Sequence, residues 1–128
     1  MTLRFTIPMP PVTKKNSQRI VRIGNRSAIL PSKKYTDYEG NAARFLPKQA
    51  KGIDSPVEVT ALFYMQTRRR VDLTNLLEAL DDVLVHGKLL ADDNCLVIVS
   101  HDGSRVLYDK EHPRTEVQIR TYRGDLPW

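Results

Sequence analysis

Apolar residues along this 128-residue chain follow two rhythms, and each change of rhythm marks an element. Leu3 to Met9 alternates with period two and reads as a strand, stopped by Pro8, Pro10 and Pro11. Lys14 to Asn25 is polar, and the Gly24–Asn25 turn joins Gln18–Ile23 to Arg26–Leu30 as a small hairpin. Ser32 is placed to cap a helix running through Tyr35, Tyr38, Ala42, Ala43 and Phe45, which Pro47 ends. Val57 to Met65, rich in β-branched and aromatic residues, is the clearest strand. Gln66 to Arg70 is a basic loop, Asp92–Asp93 precede a buried-type strand from Cys95 to Ser100, and Asp102–Gly103 turns into Arg105–Tyr108. Thr115 to Tyr122 is a last alternating strand. Strands and helices mix without a regular βαβ rhythm, which predicts an α+β fold over residues 1–128 as a single domain, with a small mixed β-sheet carrying helices on one face.

The most informative rhythm runs from Asp72 to Leu84 (DLTNLLEALDDVL), where the apolar spacing becomes helical. At about 100° per residue with Asn75 at zero, Leu73, Leu76, Leu77, Leu80, Val83 and Leu84 occupy an arc from roughly 80° to 200°. Asn75, Glu78 and Asp82 fall within about 60° of one another on the other side. The helix therefore lays its leucines on a sheet and turns a polar, mostly acidic stripe outward. Gly87 ends it.

Charge changes this picture. Residues 1–52 carry eleven Lys and Arg against Asp37 and Glu39, a net of +9. Residues 53–128 carry nine against thirteen acids, a net of −4, and the halves sum to the chain's +5. Six carboxylates (Asp72, Glu78, Asp81, Asp82, Asp92, Asp93) crowd into residues 72–93 beside Lys88 alone. A basic half next to a compact acidic cluster suggests a polyanion with metal ions between them. Other classes drop out. No apolar run reaches the ~18 residues of a membrane span, and the short, Pro-rich MTLRFTIPMPP does not read as a signal peptide. One cysteine excludes a disulfide scaffold and a Cys-based zinc site. His101, Asp102 and Ser104 are too close in one turn to act as a catalytic relay. A cytoplasmic, non-membrane domain is the expectation.

Phosphodiester hydrolysis needs an activated water and a stabilised leaving oxygen, and carboxylates holding Mg²⁺ supply both. Mg²⁺ takes hard oxygen ligands and keeps several waters, so a few carboxylates from two segments suffice. Asp72 and Glu78 on the helix, with Asp92 and Asp93 at the strand entry, are the candidates. Each has a plainer reading beside it: Asp72 as a helix cap, Asp92–Asp93 as turn residues, and Asp81 and Asp82 as solvated helix-face charges. Lys14, Lys15, Arg19, Arg22, Arg26, Lys33 and Lys34 lie in polar, turn-rich sequence that can reach phosphates, and Arg68, Arg69 and Arg70 adjoin the acidic cluster.

The run RRR-V-DLTNLLEALDDVLVHGKLLADDN resembles the core of the RusA-type Holliday-junction resolvases. There a basic stretch precedes an Asp-Leu-Asp-Asn-Leu helix start, a hydrophobic helix and an Asp-Asp pair. The Pro-rich first strand, the polar loop with Lys14, Lys15 and Asn16, and the Pro113-led last strand are similar too, so the resemblance covers nearly the whole chain. It implies a homodimeric α+β endonuclease, dependent on Mg²⁺ with Mn²⁺ as the alternative, that nicks opposed strands of a four-way junction symmetrically. With the residues read above, the expected DNA contacts are Lys14, Lys15, Asn16, Lys33, Lys34, Arg68, Arg69 and Arg70.

By position, Asp72 matches the family's first catalytic aspartate and Asp93 the acid after the helix, with Asp92 beside it. Two positions depart. The family's second aspartate is Thr74 here, and a lysine one turn later is Glu78. Thr74 and Glu78 share a helix face, so Glu78 is expected to restore the lost carboxylate as a metal ligand. The displaced lysine's role would fall to Lys14, Lys15 or Lys88. The catalytic set is then Asp72, Glu78 and Asp93, with Asp72, Glu78, Asp92 and Asp93 around the metal. Two other readings share the basic residues: a branched-DNA-binding protein without cleavage, and a general nucleic-acid-binding domain without preference for branches.

Overall fold

Strand β4 (Val57–Met65) is the spine of the molecule because every second residue can be buried on one face. Val57, Val59, Ala61 and Phe63 are all but inaccessible. The computed structural model describes residues 1–14 and 18–127. Along one edge of β4 runs β7 (Arg114–Thr121), antiparallel, and beyond it β1 (Thr2–Ile7), also antiparallel. Along the other edge lie two short parallel strands in succession, β5 (Ile98–Ser100) beside Val57–Glu58 and β6 (Arg105–Tyr108) beside Leu62–Met65. The register puts Leu3, Phe5 and Ile7 of β1, Thr115, Val117 and Ile119 of β7, and Val59, Ala61 and Phe63 of β4 on one face.

Helix α2 (Leu73–His86) covers that face. Leu76, Leu80, Val83 and Leu84 are buried in the core, and Leu73 and Leu77 pack at its margin. Gly87 closes the helix where a Cβ would lie 2.3 Å from Leu46 Cδ1 and 2.9 Å from the Val83 carbonyl oxygen, so only glycine fits. Helix α1 (Lys33–Ala42) starts at Ser32, whose Oγ accepts from the Tyr35 amide at 3.1 Å, and runs into a 3₁₀ turn at Ala43–Phe45. The Tyr35 hydroxyl, 3.2 Å from the Ala79 carbonyl oxygen, ties α1 to α2. Strands β2 (Gln18–Ile23) and β3 (Arg26–Pro31) form their own two-stranded sheet.

The fold is α+β with a mixed sheet and two helices, as the pattern of elements predicts. Several boundaries differ. Strand β1 stops at Ile7 rather than Met9, because Pro8 has no amide to give a ladder. Strand β7 runs from Arg114 to Thr121, one residue earlier at each end than expected. The expected strand from Cys95 begins only at Ile98: the Asn94 side-chain oxygen accepts from the Leu96 amide, and its carbonyl accepts from Val97 and Ile98, winding residues 94–97 into a helical turn. Cys95 is therefore exposed, not buried in a strand.

Candidate active site and nucleic-acid interface

Helix α2 and the segment that follows it carry the carboxylates. Asp72 occupies the N-cap position, yet its side chain caps no backbone amide; it accepts instead from Asn75 Nδ2 at 3.3 Å. The plain capping role is thus not what its carboxylate does. Glu78 stands exposed on the outward stripe of the same helix. After Gly87, the chain is pinned to the β4 approach by a parallel bridge between Ile53 and Leu90, with the Ile53 amide donating to the Leu89 carbonyl and the Ala91 amide to the Ile53 carbonyl. This delivers Asp92 and Asp93, both exposed, to the end of that segment. Asp92 is locally occupied: one oxygen accepts from the Asp93 amide at 2.7 Å and the other from Asn94 Nδ2 at 3.0 Å.

The two aspartates expected to be solvated on the helix face are not. Asp82 is paired with Lys14, Nζ to Oδ2 at 2.9 Å, across 68 residues of sequence. That hydrogen bond, reinforced by the charges of Asp82, Glu39 and Glu78, holds the Lys14 ammonium above the ordinary lysine range despite partial burial. Asp81 is only 15% exposed and meets His101 Nε2 at 2.9 Å, while the Val59 carbonyl takes His101 Nδ1 at 3.0 Å. Burial pushes the Asp81 carboxyl above its usual range against the downward pull of the hydrogen-bonded His101, and the charges of Asp93 and Asp82 add to the rise. Burial alone would lower His101, but the hydrogen bond and charge of Asp81, and then the Val59 carbonyl, raise it. The pair was missed in the sequence, although Asp81 lies at about 240° on the wheel, next to the apolar arc, where partial burial is expected.

The cationic residues gather nearby. Lys34, Arg69 and Arg70 line a cleft of ≈ 300 Å³ with Pro11, Val12 and Met65 among its walls. Arg68 stacks over Tyr108, its guanidinium carbon 4.1 Å from the ring centroid. Lys33 pairs with Asp37 at 3.1 Å on the exposed face of α1. Lys15 and Asn16 lie outside the described residues. Of the three lysines that could stand in for the one displaced by Glu78, Lys14 is brought to the acidic face of α2, whereas Lys88 sits in a left-handed turn after the helix at φ 65°.

The donor chemistry suits Mg²⁺, since every candidate ligand is a hard carboxylate oxygen. Among the described residues, however, no three His, Cys, Asp or Glu side chains converge closely enough to hold a metal ion. The arrangement is not a preformed cage. Mg²⁺ is commonly held by one or two carboxylates and completed by substrate phosphates, and Asp72 and Asp93 are the carboxylates that would serve in that way.

Carboxylates on a helix start and its following loop, beside an arginine-lined cleft on an α+β scaffold, define a protein built to bring a polyanion against acidic side chains: the class of a nuclease. Comparison with known families makes this specific. The chain matches the family model described as Endodeoxyribonuclease RusA over residues 8–120, and it belongs to that family. The match spans every residue of the site. No curated protein sequence matches the chain.

Proposed function

We propose that this protein is a homodimeric, Mg²⁺-dependent nuclease that resolves four-way DNA junctions in the cytoplasm by paired symmetric nicks, serving recombination and repair. Membership of the RusA family across residues 8–120 carries the reading. The Asp72 carboxylate, which caps no backbone amide although it stands in an N-cap position, supports it. Two-fold protein symmetry suits two symmetric incisions.

Arg69, Arg70 and Lys34 grip a phosphate backbone in their cleft and so fix its register. Asp72 and Asp93 would hold Mg²⁺ with the help of DNA phosphates, and Glu78, exposed on the outward stripe of α2, would be the third carboxylate. Asp92 orders the loop instead, through its bonds to Asp93 and Asn94. When bound, the ion supplies activation of water and stabilisation of the departing oxygen. Lys14, charged and anchored by Asp82, faces the incoming phosphate from the N-terminal segment.

Cleavage of an end-labelled synthetic four-way junction, with and without Mg²⁺ and beside a linear duplex, tests this. Paired nicks that require the metal and are absent from the duplex are expected. Asp72→Asn should lower cleavage at least about 100-fold while leaving junction binding intact, and should cost under about 0.5 kcal/mol of stability because no capping bond is lost. Tight junction binding without cleavage under Mg²⁺ or Mn²⁺ would instead establish a branched-DNA binder.

A further inference from the structure

The β2–β3 hairpin stands apart from everything described so far. Among the described residues, no strand of the main sheet pairs with it, and none of its apolar residues belongs to the hydrophobic core. Yet it is not polar. Ile20 and Ile29 are directly opposed across the ribbon and are 76% and 66% exposed, and Ile23 and Leu30 are exposed as well. Alternation along the strands puts Ile20, Arg22, Ser27 and Ile29 on one face, while Val21 and Ala28, both partly covered, turn to the other. Residues 18–31 contain three arginines and no acidic residue. An apolar pair flanked by cations, on a projecting two-stranded ribbon, needs a partner that offers apolar surface and negative charge together.

DNA at a branch point offers both. Base stacking is interrupted where strands exchange partners, so apolar base faces lie within reach of the phosphates that border them. Proteins commonly insert Ile, Leu, Phe or Met at such weakened steps. A second copy of this chain is a poorer match. Two such hairpins meeting would bring six arginines together with no acid between them, and one ribbon face of about 20 by 10 Å covers roughly 200 Å², well below the ~800 Å² per partner of a stable interface.

We propose that the β2–β3 hairpin is a wedge for branched DNA: the Ile20–Ile29 pair packs against unstacked bases at the branch point while Arg22, on the same face, holds the bordering phosphates. This rests on the branched-DNA reading above and adds the element that recognises the branch. The wedge confers preference for junction over duplex, whereas the Lys34–Arg69–Arg70 cleft grips any backbone.

The test uses the full-length protein without divalent metal and a four-way junction carrying 2-aminopurine beside the branch point, with a linear duplex as control. Wild-type protein is expected to raise the 2-aminopurine fluorescence and to bind the junction more tightly than the duplex at matched salt. Ile20→Thr/Ile29→Thr keeps β-branched residues at exposed positions, so thermal unfolding should shift by no more than a few degrees. It should abolish the fluorescence rise and lower junction affinity about tenfold or more, with duplex affinity unchanged. If the double variant keeps the fluorescence rise and the full junction preference, the wedge is overturned while the branched-DNA reading stands. If wild-type protein binds junction and duplex equally, that reading falls and the wedge falls with it. Should sedimentation show the variant dissociating from dimer to monomer, the hairpin is an interface between copies, and the proposal is overturned.

Discussion

Asp81 and His101 are where single side chains tie stability to pH. The Val59 carbonyl can only accept, so His101 Nδ1 carries a proton, and a second proton lies between Nε2 and Asp81 Oδ2. The other Asp81 oxygen is buried with no hydrogen-bond partner among the described residues. Both groups are raised above their ordinary values, so the folded state holds the pair's protons more firmly than the unfolded chain. The stability His101 contributes is complete below 6.5, its unfolded value, and is lost as pH rises through the higher folded value. Asp81 acts in the same direction. Urea unfolding should therefore show wild-type stability declining as pH rises above 6.5, and His101→Gln should flatten that decline. The same variant should lose about 1–3 kcal/mol at pH 6, since it leaves a buried carboxylate poorly paired.

At the scale of elements, α2 has two tasks that its two faces keep separate. Its leucine face is packed on β4 and β7, and its acidic face presents Asp72 and Glu78 while Asp81 and Asp82 bind it laterally to His101 and Lys14. Leu80 is 2% exposed in the centre of the packed face. Leu80→Ala should cost about 2–5 kcal/mol by removing buried methyl groups and leaving a cavity. A loss of under 1 kcal/mol in chemical denaturation would show that the helix is not held by this face. The helix positions the site because it cannot rotate without exposing this face, and the bonds to Lys14 and His101 resist that rotation from both flanks.

Across the whole molecule, charge is sorted more sharply than the net of +5 suggests. The cleft lined by Lys34, Arg69 and Arg70 and the exposed arginines of the hairpin lie outside the acidic stripe, as the proposed grip on DNA beside the carboxylates requires. Each phosphate contact releases counterions, and log K falls by about 0.9 per contact per unit of log salt on duplex DNA. Arg69→Ala/Arg70→Ala should therefore weaken junction and duplex binding alike and reduce the salt slope by roughly 2, read from fluorescence anisotropy between about 50 and 200 mM salt. An unchanged slope would remove the cleft from the interface. No helix among the described residues is long and apolar enough to cross a membrane.

The local alphabet of the chain was enough for most of its elements, though not for the turn at residues 94–97. Alternation over Val57–Met65, the leucine arc over residues 73–84, the Ser32 cap and the Gly24 turn are short-range signals, and each element formed where its signal lay. The DLTNL helix start and the Asp92–Asp93 pair likewise pointed to the carboxylates, because the residues and their spacing sit within one stretch of about twenty. Tertiary structure alone decided what each charge does. Lys14 meets Asp82 and Asp81 meets His101 only after the chain has folded across 68 and 20 residues, and no local pattern encodes such pairs. The same holds for the hairpin's freedom from the core and for the cleft that joins Lys34 to Arg69 and Arg70. Local sequence dictates backbone preference and which face is apolar, since those depend on near neighbours. A side chain's partner, burial and proton affinity depend on what the fold brings beside it.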